Sequence, residues 1–220
     1  TTATNSFNTA IGYTAGGSIT TGIKNVIVGG LALDAATTGQ ENTAIGHQAL
    51  TADTKGNRSV AIGHGSLVTQ NFTTATSALN TAVGYNSGNA LTTGIQNTII
   101  GALAGDALTD ADFNVAVGIN ALTSDTLGSS STAIGDNALA AQNFTTATDS
   151  FNVAVGISAG KAVTTGIRNT LIGGLAGDVL TDADFNTGVG FQALSDDTLG
   201  SFSTALGYQA LASQNFTTAT

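Results

Sequence analysis

The chain has 220 residues with 5 basic and 14 acidic side chains, a net charge of −9. This excludes nucleic acid and anionic membranes as partners, because no basic stripe could neutralise phosphates. It has no Cys, which excludes a disulfide framework and a thiolate metal site. No apolar run approaches the ~20 residues of a membrane helix, so we expect no membrane insertion. The chain lacks Pro, which agrees with continuous ladders in which every backbone N–H is needed. It also lacks an initiator Met, and both ends read Thr-Thr-Ala-Thr, so we expect a section of a longer repetitive polypeptide.

In chain order, a five-residue phrase of the type Asn-Thr-Ala-Ile-Gly occurs twelve times, at spacings of 17, 17, 17 and then 21 residues. The first residues of the phrases are Asn8, Asn25, Asn42, Ser59, Asn80, Asn97, Asn114, Ser131, Asn152, Asn169, Asn186 and Ser203. This cycle divides the chain into three superrepeats, 5–76, 77–148 and 149–220, which we interpret as a single repeat array. A longer loop in every fourth coil, first seen at 70–74, supplies the four extra residues.

Four positions of the phrase predict how one coil lies on the next. The fourth residue is β-branched in eleven of twelve copies, which predicts a buried, stacked strand. The Asn is expected to adopt a left-handed backbone at a corner and to form an amide ladder with its neighbours. The fifth residue is always Gly, which indicates a close backbone approach, and the eighth is always Ala or Ser. The predicted ladder glycines are Gly12, Gly29, Gly46, Gly84, Gly101, Gly118, Gly156, Gly173 and Gly190.

These patterns predict an all-β fold, a parallel β-roll or β-solenoid with 17-residue coils and about three short strands per coil. Twelve coils stacked at about 4.8 Å make a rod roughly 58 Å long. The coil from Asn42 to Arg58 has only Ile45 and Leu50 as large apolar residues, which is little for a monomeric solenoid. We therefore favour a homotrimer about the rod axis, with the chains approaching one another at the columns of small residues.

Residues 58–66 read Arg-Ser-Val-Ala-Ile-Gly-His-Gly-Ser, which resembles the head repeats of trimeric autotransporter adhesins. The Asn-Thr-Ala-Ile-Gly copies also resemble the repetitive shafts of phage tail fibres. The resemblance implies a left-handed, trimeric roll that is extracellular, on a cell surface or virion, and serves attachment to a host surface receptor or glycan. The adhesin coils are typically shorter than 17 residues.

A second resemblance points to an enzyme. Residues 45–50, Ile-Gly-His-Gln-Ala-Leu, resemble one hexapeptide of the left-handed β-helix acyltransferases. Those enzymes repeat the hexapeptide three times per coil, whereas this chain has it once per coil. No arrangement of a nucleophile, a base and an orienting partner recurs, so we expect no catalytic residues and no enzyme.

Two groups of residues are candidate metal ligands. His47 and His64 are the only histidines and lie one coil apart, but they have no third ligand, so we interpret them as a variable exposed position. The acidic clusters Asp106, Asp110, Asp112 and Asp178, Asp182, Asp184 have oxygen ligands suited to Ca²⁺, although neither an EF-hand nor a Gly-Gly-x-Gly-x-Asp spacing is present. Solvated loops are the alternative interpretation, and we expect no cofactor.

The sequence thus predicts a non-enzymatic structural shaft of an extracellular or virion fibre that supports attachment. The alternative is a self-assembling extracellular filament subunit without a receptor. An ice-binding solenoid is a remote alternative, because Thr-rich phrases such as residues 72–76 occur only once in four coils.

Overall fold

The structure is a computed structural model that describes residues 5–216 and 218. These residues contain no helix, and so no helix long enough to cross a membrane. Strands are numbered in chain order. Twelve of them have three residues: β1 (Thr9–Ile11), β2 (Val26–Val28), β3 (Thr43–Ile45), β5 (Val60–Ile62), β7 (Thr81–Val83), β8 (Thr98–Ile100), β9 (Val115–Val117), β11 (Thr132–Ile134), β13 (Val153–Val155), β14 (Thr170–Ile172), β15 (Thr187–Val189) and β16 (Thr204–Leu206).

These twelve strands form one parallel sheet in which each strand pairs with its equivalent in the next coil. The register is residue over residue, as where Ala10 pairs with Ile27, and it is kept across the longer loop, where Ala61 pairs with Ala82. The prediction of an all-β, parallel β-solenoid with 17-residue coils is therefore confirmed. Identical registers place equivalent residues of successive coils in continuous columns along the solenoid.

The number of strands per coil was predicted wrongly. Each coil has one three-residue strand, and only four further strands of two residues are present among the described residues: β4 (Gly56–Asn57), β6 (Thr76–Ser77), β10 (Gly128–Ser129) and β12 (Thr148–Asp149). Strand β4 pairs with β6 and β10 with β12, in each case across the longer loop of a fourth coil. The rest of each coil consists of turns whose backbone N–H groups donate mostly to carbonyl groups one coil away.

The core is not formed by the β-branched column. Alternate residues of a strand face opposite sides, and from the second coil onward the third residue of the phrase, such as Ala44 or Ile99, is the one that is buried. None of the twelve residues at the fourth position is buried, and Ile100 and Ile134 are 39% and 38% exposed. The prediction that this column lies in the core was therefore wrong. The neighbouring residue in the strand faces the core instead, and the β-branched column faces outward.

The column of small residues at the eighth position was predicted to lie where chains approach one another, and this was also wrong. Ala49 and Ala121 are fully buried inside the coil of the single chain. A neighbouring chain cannot reach residues that their own coil covers. The small residues are needed because the coil is narrow, and any contact between chains has to use another surface.

Two arrangements of the core occur at the ninth position of the coil. Some coils have a buried Leu at the ninth position, such as Leu67. Others have Gly there and a buried apolar residue three positions later, as at Gly88 and Leu91. A Cβ on Gly88 would lie 2.9 Å from Leu67 Cδ2 and 3.0 Å from Ile99 Cδ1, so the glycine makes room for its neighbours.

The left-handed corner falls one residue earlier than predicted. Glu41 and Arg58, which directly precede the first residue of a phrase, have φ of 60° and 61°. The same holds for Phe113 and Phe185, at 61° and 58°. Because the preceding residue takes the left-handed conformation, the Asn is turned inward with its amide in the core.

Candidate functional surface

The outward side of the twelve-stranded sheet, which we call the sheet face, is formed by the second and fourth residues of each phrase. The second residue is Thr or Val in every coil and the fourth is Ile, Val or Leu. Most of these side chains are half-buried between their equivalents above and below, and Val26 and Ile172 are 42% and 39% exposed. The sheet face is therefore a continuous apolar surface that the single chain leaves in contact with water.

Two exposed columns border the sheet face. The leading rim consists of the residues that precede each phrase: Phe7, Lys24, Glu41, Arg58, Leu79, Gln96, Phe113, Ser130, Phe151, Arg168, Phe185 and Phe202. The trailing rim consists of the residues that follow each invariant Gly: Tyr13, Gly30, His47, His64, Tyr85, Ala102, Ile119, Asp136, Ile157, Gly174, Phe191 and Tyr208. All the aromatic members of both rims other than the histidines are more than 40% exposed.

Side chains of the leading rim contact one another from coil to coil. Glu41 accepts from Arg58 at 2.8 Å and from Lys24 at 3.4 Å. The hydrogen bonds from Arg58 and then from Lys24 lower the pKa of Glu41. In the third superrepeat the Phe185 and Phe202 rings stack at 5.1 Å, and the Arg168 guanidinium lies 5.2 Å from the Phe185 centroid. The same column is thus charged in one part of the rod and aromatic in another.

The two histidines lie in the trailing rim. His47 and His64 stack at 5.3 Å between ring centroids, and His64 stacks on Tyr85 at 5.6 Å. Phe191 and Tyr208 occupy the equivalent coils of the third superrepeat and also stack, at 5.8 Å. Within the described part of the chain, no group of three or more His, Cys, Asp or Glu residues is placed to hold a metal ion.

The predicted asparagines line the inside of the corner. Asn114 shows the usual arrangement: its Nδ2 donates to the Gly128 carbonyl at 2.9 Å, and its Oδ1 accepts the backbone N–H of Ser131 at 2.9 Å. The amide therefore closes its own coil and holds the next one. Among the described residues, direct bonds between two asparagine amides join only the first two coils of each superrepeat, as between Asn97 Nδ2 and Asn80 Oδ1 at 3.3 Å.

Equivalent bonds are made by the other predicted asparagines. Those with Nδ2 donating to a carbonyl 14 residues later are Asn8, Asn25, Asn42, Asn80, Asn97, Asn152, Asn169 and Asn186.

The invariant glycines lie where consecutive coils are closest. Gly46 has φ of 133°, a conformation that side chains disfavour. A Cβ on Gly46 would lie 2.4 Å from the carbonyl oxygen of Gly63 in the next coil. The contact is within one chain, between coils. The described members of this column have φ between 126° and 142°.

The candidate calcium ligands do not converge on one point. Asp106 accepts from the Thr123 hydroxyl at 2.6 Å, Asp110 accepts from Thr93 at 2.6 Å, and Asp112 accepts the Ile95 N–H at 2.7 Å. Each carboxylate is thus hydrogen-bonded to a different residue one coil away.

In the third superrepeat, Asp182 and Asp184 make the same bonds as their equivalents, to Thr165 and to the Ile167 N–H. Asp178 differs, because Ser195 stands where Asp106 has its Thr partner, and its buried Oδ1 has no hydrogen-bond partner. Burial raises the pKa of Asp178.

A buried polar network in the fourth coils was missed by the sequence analysis. Ser59 stands where other coils have Asn, so the coil lacks an inward amide. Gln70 supplies one: its Nε2 donates to Asp53 Oδ2 at 2.6 Å and to Ser59 Oγ at 3.0 Å, while its Oε1 accepts from Asn80 Nδ2 at 2.9 Å. Gln70 therefore connects three consecutive coils.

The network is repeated at the same places in the other superrepeats, with Gln142 bonded to Asp125 and Ser131, and Gln214 to Asp197 and Ser203. The signal in the sequence was available: every Ser at the first position has Asp six residues before it and Gln eleven residues after it.

Asp53 also anchors the longer loop. Its Oδ1 accepts the backbone N–H groups of Gly56 at 2.9 Å and Phe72 at 3.2 Å. Burial raises the pKa of Asp53, against the opposing effect of these hydrogen bonds and that from Gln70. The Phe72 ring is only 6% exposed, and Phe144 is equally buried, so these rings close the loop over the core.

A threonine column on the loop side was missed as well. Thr37 donates its hydroxyl to the Thr54 carbonyl at 3.2 Å, and Thr109 donates to the Thr126 carbonyl at 2.9 Å. The column contains Thr in the first three coils of each superrepeat and Asn in the fourth, where Asn71 accepts from Thr54 at 3.0 Å. Side chains thus hold successive coils together on the loop side as well as at the Asn corner.

The described chain is therefore a β-solenoid repeat protein with one bordered apolar sheet face. Comparison with protein families shows a similarity to adhesin heads: the model of the YadA head domain repeat (2 copies) matches residues 38–66, 55–76, 127–148 and 199–220. The last three matches lie at the same place in each superrepeat, over the fourth coil. This confirms the resemblance to trimeric autotransporter adhesin heads. A search of curated proteins and of solved structures found no match to the chain.

Proposed function

We propose that this chain is a non-enzymatic shaft segment of an extracellular fibre, on a cell surface or a virion, that holds an attachment function away from its base. One observation carries the proposal: a head repeat of an adhesin family recurs at the same place in each superrepeat of a continuous parallel solenoid. Stacked coils with hydrogen bonds in every corner make a stiff rod, which suits a spacer better than a catalyst.

The sheet face supports a rod of three parallel chains. Its second and fourth columns are apolar or Thr in all twelve coils, and a surface of this length costs free energy when it stays in water. Three such faces turned toward one axis would cover one another and add a second apolar core between the chains to the narrow one inside each chain. The resemblance to adhesin heads implies the same assembly, with left-handed coils.

Small-angle X-ray scattering of the purified chain tests the shape and the assembly together. We expect a rod roughly 58 Å long, from twelve coils at about 4.8 Å, with the cross-section of three solenoids. A cross-section of a single coil contradicts the three-chain rod. Particles that lengthen with concentration at constant cross-section support the alternative of a self-assembling filament.

Immunogold labelling tests the location. An antibody against residues 5–216 should label fibres that project from the surface of intact cells or particles. Labelling only of the cell interior contradicts the proposal of a surface fibre, whatever the assembly of the isolated chain.

The sheet face also favours one other function, ice binding by a single chain. The Thr-rich phrases that suggested it lie in the loops, but the sheet face has Thr at the second position in eight coils and Val in the other four. This is a regular array of hydroxyl and methyl groups at about 4.8 Å along the rod. Ice binding requires the sheet face to be free, so thermal hysteresis by a monomeric chain would favour it over the shaft.

A further inference from the structure

The chemistry of the two rims matches coil by coil. In six coils both rims have a large apolar residue. These pairs are Phe7 and Tyr13, Leu79 and Tyr85, Phe113 and Ile119, Phe151 and Ile157, Phe185 and Phe191, and Phe202 and Tyr208. In three coils a long polar residue of the leading rim is matched by a small residue: Lys24 with Gly30, Gln96 with Ala102, and Arg168 with Gly174. In the remaining three coils, the third, fourth and eighth of the chain, both rims have a polar residue. These pairs are Glu41 with His47, Arg58 with His64, and Ser130 with Asp136.

Changes between superrepeats occur in both rims together. The third coil has the pair Glu41 and His47 in the first superrepeat, and the pair Phe113 and Ile119 in the second. The fourth coil changes from polar in the second superrepeat to aromatic in the third, where Phe202 accompanies Tyr208. The surrounding phrase stays nearly constant, so the type of coil does not explain why the two rims change together.

The two rims do not touch within one chain. Each pair is separated by a five-residue phrase whose middle forms an extended strand, which places the rims roughly 15 to 20 Å apart. Among the described residues, rim side chains contact others of the same rim, as from Glu41 to Arg58 and from Phe191 to Tyr208, or residues outside both rims, as from Ser130 to Asp149, and no such bond joins the two rims. The matching therefore needs a contact outside the single chain.

We propose that the leading rim of one chain packs against the trailing rim of a second copy at the same coil, so that matched rims fix the register of parallel chains. This inference rests on the proposed three-chain rod. When three sheet faces turn toward one axis, each edge brings a leading rim against the trailing rim of the next copy, a head-to-tail contact that closes as a ring. Apolar pairs are then covered together, and Glu41 lies opposite His47 of the next copy.

Register is a real problem for a repetitive rod. A slip of four coils exchanges only Thr with Val in the second column and Ile with Val or Leu in the fourth, which are residues of similar size, so the sheet face discriminates poorly between alignments. Such a slip would place Glu41 opposite Ile119 and Ser130 opposite Tyr208 of the neighbouring copy. A charged or polar group set against an apolar one loses hydration without gaining a partner, so the rims of the third and fourth coils penalise the wrong alignment.

Disulfide trapping tests this contact cleanly, because the chain has no Cys. We would make the double variant S130C and D136C in the 220-residue chain, oxidise it mildly, and measure its mass on non-reducing gels. Asp136 is exposed and Ser130 half-buried in the fourth coil of the second superrepeat. The rims are too far apart for a bond within one chain, since a disulfide requires Cα atoms within about 7 Å. We expect the main species to shift from one chain to two and three covalently linked chains.

Two kinds of control variant test whether linkage requires both rims at the same coil. Each single variant should stay at the mass of one chain, because the leading rim does not meet itself in this ring. The double variant S130C and Y208C uses the same rims four coils apart and should also stay unlinked. Linkage in a single variant, or more linkage in this shifted pair than in S130C with D136C, overturns the inference.

Light scattering of the reduced variants separates this inference from the proposed function. A mass of three chains without linkage in S130C with D136C overturns the rim contact but leaves the three-chain rod. A mass of one chain overturns both.

Discussion

Gln70 Nε2 donates to Asp53 Oδ2 at 2.6 Å, between side chains that are both buried and 17 residues apart. The bond occurs where the ladder of asparagine amides is interrupted by Ser59. A glutamine from the far side of the same coil reaches the vacant place and continues the ladder to Asn80. Buried side-chain hydrogen bonds thus continue across the longer loop in the first two superrepeats.

Replacing Gln70 by Ala should destabilise the coils around the first longer loop. The variant removes the hydrogen bond that Asp53 Oδ2 accepts in the core and one of the two that Asn80 Nδ2 donates, because Asn80 still donates to the Gly94 carbonyl. The loss at the buried carboxylate oxygen should cost about 1 to 3 kcal/mol. Urea denaturation measures the loss. Gln40→Ala is the matched control, because it removes the same side chain from a half-buried position, and it should change the midpoint little. Equal effects of the two variants would contradict the role assigned to Gln70.

Asp53 should make stability depend on pH. Its pKa is raised by burial, so the folded chain binds the proton more tightly than the unfolded chain. The contribution of Asp53 is therefore complete below the unfolded pKa of about 3.9 and is lost as pH rises through the folded value. The melting temperature of the wild type minus that of Asp53→Asn should fall as pH increases from about 3 to 7. A difference that rises over this range contradicts the direction assigned to the Asp53 pKa.

Gly46→Ala should disrupt the stacking of the third and fourth coils. The substitution combines a strained φ of 133° with a Cβ placed 2.4 Å from the Gly63 carbonyl oxygen. Gly207→Ala is a matched control, since Gly207 has φ of 126° but no atom within 4 Å of the added Cβ. Strain alone costs about 1 to 3 kcal/mol. Thermal denaturation should therefore show a clearly larger loss for Gly46→Ala, and similar losses would mean that the close approach of the coils is unimportant.

Asn114→Ala should be as damaging as a core deletion, although it removes only a polar group. The variant leaves the Gly128 carbonyl and the Ser131 N–H unpaired in a buried corner, at about 1 to 3 kcal/mol each. Asn89→Ala, at a half-buried site with one long bond of 3.4 Å, is the control. Hydrogen exchange of residues 114–131 would report the loss locally. Unchanged protection there would show that the corner amide does not hold the coils together.

The repeat length, the parallel stacking and the column structure could be predicted from the sequence, because identical residues at 17-residue intervals are typical of stacked coils. Which columns face the core and which face outward could not be predicted. In a three-residue strand such as Thr43–Ile45, the neighbouring Ala44 and Ile45 face opposite sides, and the larger Ile is the usual candidate for the core. The narrow coil accepts Ala44 there instead and turns Ile45 outward. The third residue faces inward whether it is Ala44 or the larger Ile99, because the left-handed residue before the phrase turns the Asn, and with it the third residue, toward the core.

The candidate site was harder to predict, since it is a surface rather than a cluster. The calcium interpretation of Asp110 and Asp112 followed from their spacing, but each carboxylate is hydrogen-bonded to the coil before it. The Gln70 network could have been found by comparing which residues change together, since Ser59, Ser131 and Ser203 share the same distant Asp and Gln. Examining each position separately conceals such pairs.

The most direct test of the three-chain shaft is the solution mass of the chain beside that of a sheet-face variant, Val117→Asp with Ile134→Asp. Both side chains point outward and neither is buried in the single chain, so the variant should keep its β-type circular dichroism. We expect light scattering to give three times the chain mass of 21.6 kDa for the wild type and one chain for the variant, because charges would then face one another across the axis. A wild type that is monomeric, or a variant that remains trimeric, would contradict the assignment of the sheet face as the contact between chains.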